Sequence, residues 1–373
     1  MTVERETAGF ALPFAAGVLL AIYSDFSISH ISTAVPSCSC ILLGTAMAML
    51  MHPHRQRVGR GWRQALICLA ALTCGALCGI TSQHLVPSGA GLLDRLAEWA
   101  QRWGLEMQKA IDRIPFEDSR CNAVAKALIT GERHDIPRSV IDAFRESGAS
   151  HILALSGLHL GIVYGIIKSS LSIFGNHHRL WIPRSTAIIL ICGAYTLATG
   201  AGASITRAFL FIVLGEAARL NHRHHSTGQL LLASLIIQLA ISPSSAADAG
   251  FQLSYAAMGG IAFILPWLKS FWKGNIYDDS GFTRLIRRIW DTCAMSISCQ
   301  ITTGPLAYFY FGTMPRYFLL TNLIALPLTG LLVPVILLTL CLDCAGTCPP
   351  MLITVCEKLI WALIRSLEII AGM

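Results

Sequence analysis

Two histidines and a serine within nine residues raise the first chemical question. Residues 127–161 read ALITGERHDIPRSVIDAFRESGASHILALSGLHLG, a polar hairpin that runs directly into an apolar stretch holding His151, Ser156, Gly157 and His159. A serine nucleophile needs a base within hydrogen-bond reach and donors for the oxyanion. Ser156 and His159 are three apart, on one face of a helical segment. The same residues also suit a quieter role. Ser156 can bond to backbone, the histidines can join helices, and Gly157 and Gly161 allow close helix approach. A second group is Ser204, Thr206 and Arg207, where the cation can snorkel to headgroups or point into an anion-conducting path. A third is Asp248, Gly250, Phe251, Gln252, Leu253 and Ser254, with Asp248 placed to cap a helix that begins near Gly250.

The elements that carry these groups are apolar. Of 373 residues, 54% are hydrophobic and 13% charged, about half the charge of a soluble domain, so lipid is the expected solvent. Runs of roughly 20 apolar residues can span a bilayer. The candidates are 8–23, 35–51, 64–82, 151–174, 185–201, 203–219, 228–242, 250–268, 291–311, 317–342 and 350–371. The expected fold is all-α, a polytopic membrane bundle of about eleven apolar segments. The last segment carries Glu357, Lys358, Arg365 and Glu368 and suits an interface as well as a span. Acidic Glu4 and Glu6 precede the first run, which reads as a retained span and not a cleaved signal. Basic loops at Arg55–Arg63, Arg179–Arg184, Arg219–Arg223 and Lys269–Arg288 alternate consistently with a cytoplasmic N-terminus. Three helices over 1–82, a non-cytoplasmic segment over 83–150 and a membrane domain over 151–373 follow from this reading.

Segment 83–150 has a pattern of its own. Leu92, Leu96, Trp99, Trp103, Met107, Ala110 and Ile114 recur at helical spacing, with Asp94, Arg95, Glu98, Arg102 and Glu106 opposite. Such a helix either lies in the headgroup region or packs on the protein's own surface. A second, short helix is expected to start near Pro137 and stop at Gly148. Pro305, Pro327 and Pro334 inside apolar runs predict kinks or broken helices.

Other chemistry has little support. The chain has thirteen cysteines. Most lie in apolar runs as small buried hydrophobes, and the pairs Cys38/Cys40 and Cys344/Cys348 lack the further ligands of a zinc site. No G-x-x-x-x-G-K-[ST] loop is present. No cofactor or metal is implied.

Three stretches together resemble the signature of the ComEC competence domain. They are Gly131-Glu132-Arg133, then Phe144-Arg145-Glu146-Ser147-Gly148, then His151 to His159 (HILALSGLH). Asp248 to Ser254 (DAGFQLS) resembles the family pattern D-x-G-F-Q-L-S, and Ser204 to Ala208 (SITRA) resembles another family position. The likeness is best over residues 120–320. It implies passage of single-stranded DNA through the bacterial inner membrane during transformation, by a channel and not an enzyme. The residues so marked are Gly131, Arg133, Arg145, Gly148, His151, Ser156, Gly157, His159, Arg207, Asp248, Gln252 and Ser254. A moving polyanion needs cations, hydrogen-bond donors and stacking faces along a hydrated path. Lys168 is expected near its inner end.

Longer members of that family add an oligonucleotide-binding barrel and a metallo-β-lactamase-like nuclease. This sequence shows neither pattern. His52-Pro53-His54 and His222-Arg223-His224-His225 lack the aspartate of the nuclease metal motif. The implied partners are therefore single-stranded DNA, membrane lipid, a separate nuclease, a DNA-receptor protein and a cytoplasmic helicase-like motor, with a homo-oligomer left open. Two other functions fit parts of the pattern. One is a small-molecule secondary transporter; the other is an intramembrane serine hydrolase using Ser156 and His159.

Overall fold

A computed structural model describes residues 2–23, 60–84, 92–173, 180–221, 226–271, 281–312 and 316–373. The expected span 35–51, the Cys38/Cys40 pair, both histidine-rich fragments, and Arg55, Arg57, Arg179, Arg223 and Lys273 lie outside them. Among the described residues every regular element is helical. The chain forms two compact units, one of 1–89 with 222–255, the other of 90–221 with 256–373.

In the first unit, α1 (Thr2–Tyr23) packs against α2 (Arg60–His84). Glycine makes the contact possible. A Cβ on Gly17 would overlap the Leu72 carbonyl, and one on Gly75 would overlap the Phe14 carbonyl, so the two backbones touch in the manner of small-residue membrane packing. Helix α10 (Thr227–Ile241) lies beside α1. It opens on a capping box: Ser226 Oγ accepts from the Gln229 N–H at 3.2 Å while Gln229 Oε1 accepts from the Ser226 N–H at 3.1 Å.

The second unit begins with α3 (Leu92–Arg113), α4 (Ser119–Thr130), α5 (Arg138–Glu146) and the single turn α6 (Ser150–Leu153). The expected amphipathic helix and the short helix after Pro137 are both present. Pro137 is the N-cap of α5, and Gly148 takes φ +84 just beyond its end, the left-handed conformation that closes a helix. Helix α4, to which periodicity assigned nothing, is buried over most of its length. Its Lys126 is buried, with Nζ 2.7 Å from carboxylates of both Asp112 and Asp135. Burial pulls that ammonium down, and the hydrogen bonds to Asp112 and Asp135 more than offset it, leaving it raised.

After α6 come α7 (Gly157–Ser172), α8 (Trp181–Ala198) and α9 (Ala203–Leu220), which pack on one another. The expected continuous span 151–174 is thus divided. Residues 154–156 leave the helix, because Ser156 adopts an extended conformation (φ −113, ψ 168) to cap α7. Helix α11 (Ala249–Gly259) continues through a π-helical turn (Gly260–Ile264) into α12 (Leu265–Ser270). A Cβ on Gly260 would overlap the Ser298 carbonyl of α13 (Gly281–Phe311). The chain ends with α14 (Phe318–Cys344) and α15 (Pro350–Ala371).

The prolines do not break these helices; α13 runs through Pro305, and α14 through Pro327 and Pro334. Three helices among the described residues are long and apolar enough to cross a membrane: Trp181–Ala198, Ala249–Ser270 and Phe318–Cys344. Thr7–Tyr23, Ile67–Ile80 and Thr227–Ile241 are apolar but shorter, and the remaining expected spans among the described residues carry too much charge, too little length or too low a mean hydropathy. In α14, Leu320, Ile324, Leu331 and Leu338 form an exposed apolar face, while Ala325, Leu332, Val333 and Ile336 are buried against α4 and α15. Three of the four charges of α15 have partners: Glu357 accepts the Asp118 N–H at 2.8 Å, and Arg365 Nη1 donates to Glu368 at 3.0 Å.

Candidate functional site

The motif residues of the second unit converge where α7 begins. Ser156 Oγ accepts from the Leu158 N–H at 3.3 Å, the usual N-cap bond. His159 folds back so that its Nδ1 accepts from the Ser156 N–H at 3.2 Å and lies 3.1 Å from Ser156 Oγ. Histidine here takes the place that Glu or Gln holds in most capping boxes. Serine and histidine do meet, as their spacing suggests, but through the cap and not across a shared helical face.

That cap assigns the histidine tautomer. An Nδ1 that accepts a backbone N–H carries no proton, so the ring proton is on Nε2. His159 is 1% exposed, and its buried Nε2 has no hydrogen-bond partner among the described residues. A buried donor left unmet costs roughly 1–3 kcal/mol, and groups retained at such cost concentrate at functional positions.

Arg207 reaches the same place from α9. It is 7% exposed. A Cβ built on Gly157 would stand 3.6 Å from Arg207 Nη2 and 3.3 Å from the Ala208 Cβ. Glycine at 157 therefore lets α9 and its guanidinium approach the start of α7. The turn before α9 is tight, with Gly200 at φ +84 and Ala201 at φ +47. It is held by the Thr206 hydroxyl donating to the Ala201 carbonyl at 2.9 Å.

At the opposite end of the same three helices lies a cluster the sequence reading missed. Glu216 of α9 is 2% exposed. Its carboxylate accepts from the Tyr164 hydroxyl at 2.9 Å, from the Ser185 hydroxyl at 2.7 Å and from Arg219. Lys168 Nζ donates to the Tyr164 oxygen at 3.0 Å, and Arg184 donates to the Lys168 carbonyl at 2.7 Å. Arg184 and Arg219 therefore belong to helices and not to free loops. The available signal was one acid in an apolar helix with a cation three residues on. Between the two ends, Leu160, Ile188, Cys192 and Ile205 form a buried apolar layer with Tyr195 and Phe209 against it.

The remaining predicted residues are placed apart from this cluster in role. Gly131 (φ +83) closes α4, where a Cβ would meet Leu155 Cδ1 at 2.7 Å. Gly148 closes α5, and its carbonyl lies 3.2 Å from His151 Nδ1. Arg133, Arg145 and His151 are exposed. Asp248, Gln252 and Ser254 belong to the first unit. There Asp248 Oδ1 accepts from the Gly250 N–H at 3.3 Å, the expected cap, and Gln252 donates to the Ala246 carbonyl at 2.9 Å. Among the described residues no group of three or more His, Cys, Asp or Glu could hold a metal ion.

Residues 128–373 match the family model described as competence protein. The chain is 28% identical over 214 residues to ComE operon protein 3 of Bacillus subtilis, covering 57% of this chain and 24% of that one. It is 26% identical over 220 residues to Recombination protein 2 of Haemophilus influenzae, covering 57% and 27%. It is 24% identical over 233 residues to the uncharacterized protein YcaI of Escherichia coli, covering 60% and 30%. The match thus spans less than a third of each of these relatives. No solved structure matches.

Proposed function

Because the chain belongs to the competence protein family, we propose that it conducts single-stranded DNA across the inner membrane during transformation. The Ser156–Gly157–His159–Arg207 cluster would meet the strand on the outer side. The observation that carries this reading beyond family membership is the buried, unmet Nε2–H of His159 at the helix start that Arg207 approaches. A phosphodiester offers what the His159 Nε2–H lacks among the described residues, an anionic oxygen that accepts a charge-assisted hydrogen bond. Arg133 and Arg145, exposed on the α4–α5 loop and on α5, supply cations ahead of that point. In this reading the N-terminus is cytoplasmic, and the Glu216 cluster lies toward the cytoplasm. A separate nuclease, a DNA receptor and a helicase-like motor would act with it.

The test follows labelled duplex DNA and internalised strand separately in a naturally transformable host that lacks the gene. Normal surface uptake with no cytoplasmic strand, restored by the wild-type gene, is the expected result. Unchanged cytoplasmic strand, with no redundant homologue, sinks the reading. Arg145→Ala, His159→Ala and Arg207→Lys should each reduce internalisation while the protein still inserts.

One contact favours a second reading, an intramembrane hydrolase: Ser156 Oγ and His159 Nδ1 are 3.1 Å apart. Yet Nδ1 already accepts the Ser156 N–H, and among the described residues no third group orients the ring through Nε2. Labelling of Ser156 by a fluorophosphonate would revive it.

A further inference from the structure

Helix α15 turns a charged face outward beside a helix that is long and apolar enough to cross a membrane. It runs back along α14 after the tight turn at Gly346 (φ +68), and at the far end the Tyr317 hydroxyl donates to the Met373 carbonyl at 3.3 Å. Its inner side, Cys356, Ile360, Leu363 and Leu367, packs with Leu332 and Ile336 of α14 in one apolar core. On the outward side Lys358, Trp361 and Arg365 are exposed at helical spacing, Trp361 by 53%. Lys358 has no ion pair among the described residues.

Depth decides what that face can meet. Helix α14 has 27 residues and α15 has 22, about 40 Å and 33 Å at 1.5 Å per residue, against roughly 30 Å of hydrocarbon. Trp361 stands halfway along α15, so where α14 crosses the bilayer the stripe lies at hydrocarbon depth. Ionisable side chains at that depth face protein or a water-filled cavity, not lipid tails. Beside Trp361 a cavity of about 280 Å³ is lined by Arg120 of α4, Ile364, Arg365 and Glu368. Arg365 donates to Glu368 at 3.0 Å and Arg120 Nη2 lies 2.8 Å from Asp118. Both guanidiniums stay partly exposed and have further N–H donors to give.

We propose that the outward face of α15 is a wall of the strand's hydrated path, where Trp361 stacks on a base and Lys358 and Arg365 hold the flanking phosphates. The inference rests on the proposed passage of single-stranded DNA and adds a contact region that uses none of the Ser156-end residues. A cation, an aromatic face and a second cation in succession are what an unpaired strand needs from a protein surface. Glu368 tempers Arg365, and contacts along a path must stay weak enough to let the strand move on. A lipid headgroup fits less well, because headgroups lie at the bilayer surface and Trp361 at mid-depth.

The full chain, reconstituted in phospholipid nanodiscs, provides the test. Oligodeoxythymidylate should quench the Trp361 emission, taken as wild type minus Trp361→Phe, and Trp361→Ala should weaken its binding on the order of tenfold. Lys358→Gln/Arg365→Gln should lower the salt slope of binding by about 1.4, at roughly 0.7 for each cation. In the transformable host Trp361→Ala should reduce strand internalisation and Trp361→Phe should retain it. Binding that keeps its slope and leaves Trp361 emission unchanged overturns the inference while the DNA reading stands; no binding by wild type overturns both. Quenching chiefly by lipids brominated along the acyl chains would mark a lipid-facing helix. Self-association abolished by Lys358→Gln/Arg365→Gln would mark a contact between copies. Either result overturns the inference.

Discussion

The two ends of the α7–α8–α9 group handle buried polarity in opposite ways. At the Glu216 end both carboxylate oxygens are satisfied: Tyr164 donates to one, Ser185 and Arg219 to the other, and Lys168 donates in turn to the Tyr164 oxygen. At the Ser156 end the cap uses only one face of His159 and leaves Nε2–H buried without an acceptor among the described residues. A closed network holds helices in register and has no capacity left for a ligand. An open one carries a cost in the resting protein that a passing anion can relieve. The proposed function therefore assigns the Glu216 end to structure and the Ser156 end to the strand.

The largest expected effect breaks the closed end. Glu216→Ala leaves the buried Tyr164 and Ser185 hydroxyls without their acceptor, while Arg219, partly exposed, keeps the Ser185 oxygen at 3.0 Å; unmet buried groups of this kind cost about 1–3 kcal/mol. Thermal unfolding of the purified protein should show that loss, with Glu216→Gln markedly milder. A change near zero for Glu216→Ala would erase the contrast between the ends. His159→Ala should separate function from stability. Losing one hydrogen bond to a charged group predicts a roughly tenfold fall in strand internalisation, against a stability loss of about 1 kcal/mol from half of the capping box. Equal effects on both would make the Ser156 end structural as well. Ser156→Ala should cost about 1 kcal/mol as a lost N-cap, and the unfolding midpoint reads it directly.

The smallest effect concerns pH and the α3–α5 region. The hydrogen bond and charge of Lys126 hold the Asp135 carboxyl below its ordinary 3.8, and Arg120 does the same for Asp118. Stability from a depressed carboxylate is complete above that ordinary value and is lost as pH falls through the lower folded value. Asp135 is exposed, so the loss should stay under about 1 kcal/mol. Stability measured from neutral pH down to acid should show this fall. Lys126→Met should remove the part due to Asp135.

Much of this organisation was legible in the residue order. Periodicity located α3, proline and glycine bounded α5, and the apolar runs marked most of the helices, because burial and turn chemistry act over a few residues. The motif runs led to the competence family without any coordinates. Other readings were narrowed by the structure. The span 151–174 is interrupted because a serine caps better from an extended backbone than from inside a helix. The prolines of α13 and α14 leave their helices continuous. The last apolar segment, left open as interface or span, carries Glu357, Lys358, Arg365 and Glu368, too many charges for a helix that crosses a membrane by itself, and three of them are held against α4 or within its own turn.

What the sequence determined by itself, then, is an all-helical, lipid-compatible chain with family motifs in order, since composition and local spacing suffice for that. Only the tertiary structure decided which polar groups are met. Glu216 finds donors 31 and 52 residues away in the chain, while the Nε2 of His159, whose Nδ1 is satisfied three residues away, finds none among the described residues. Whether a buried donor has a partner depends on what packs beside it, and packing joins residues that no local pattern relates.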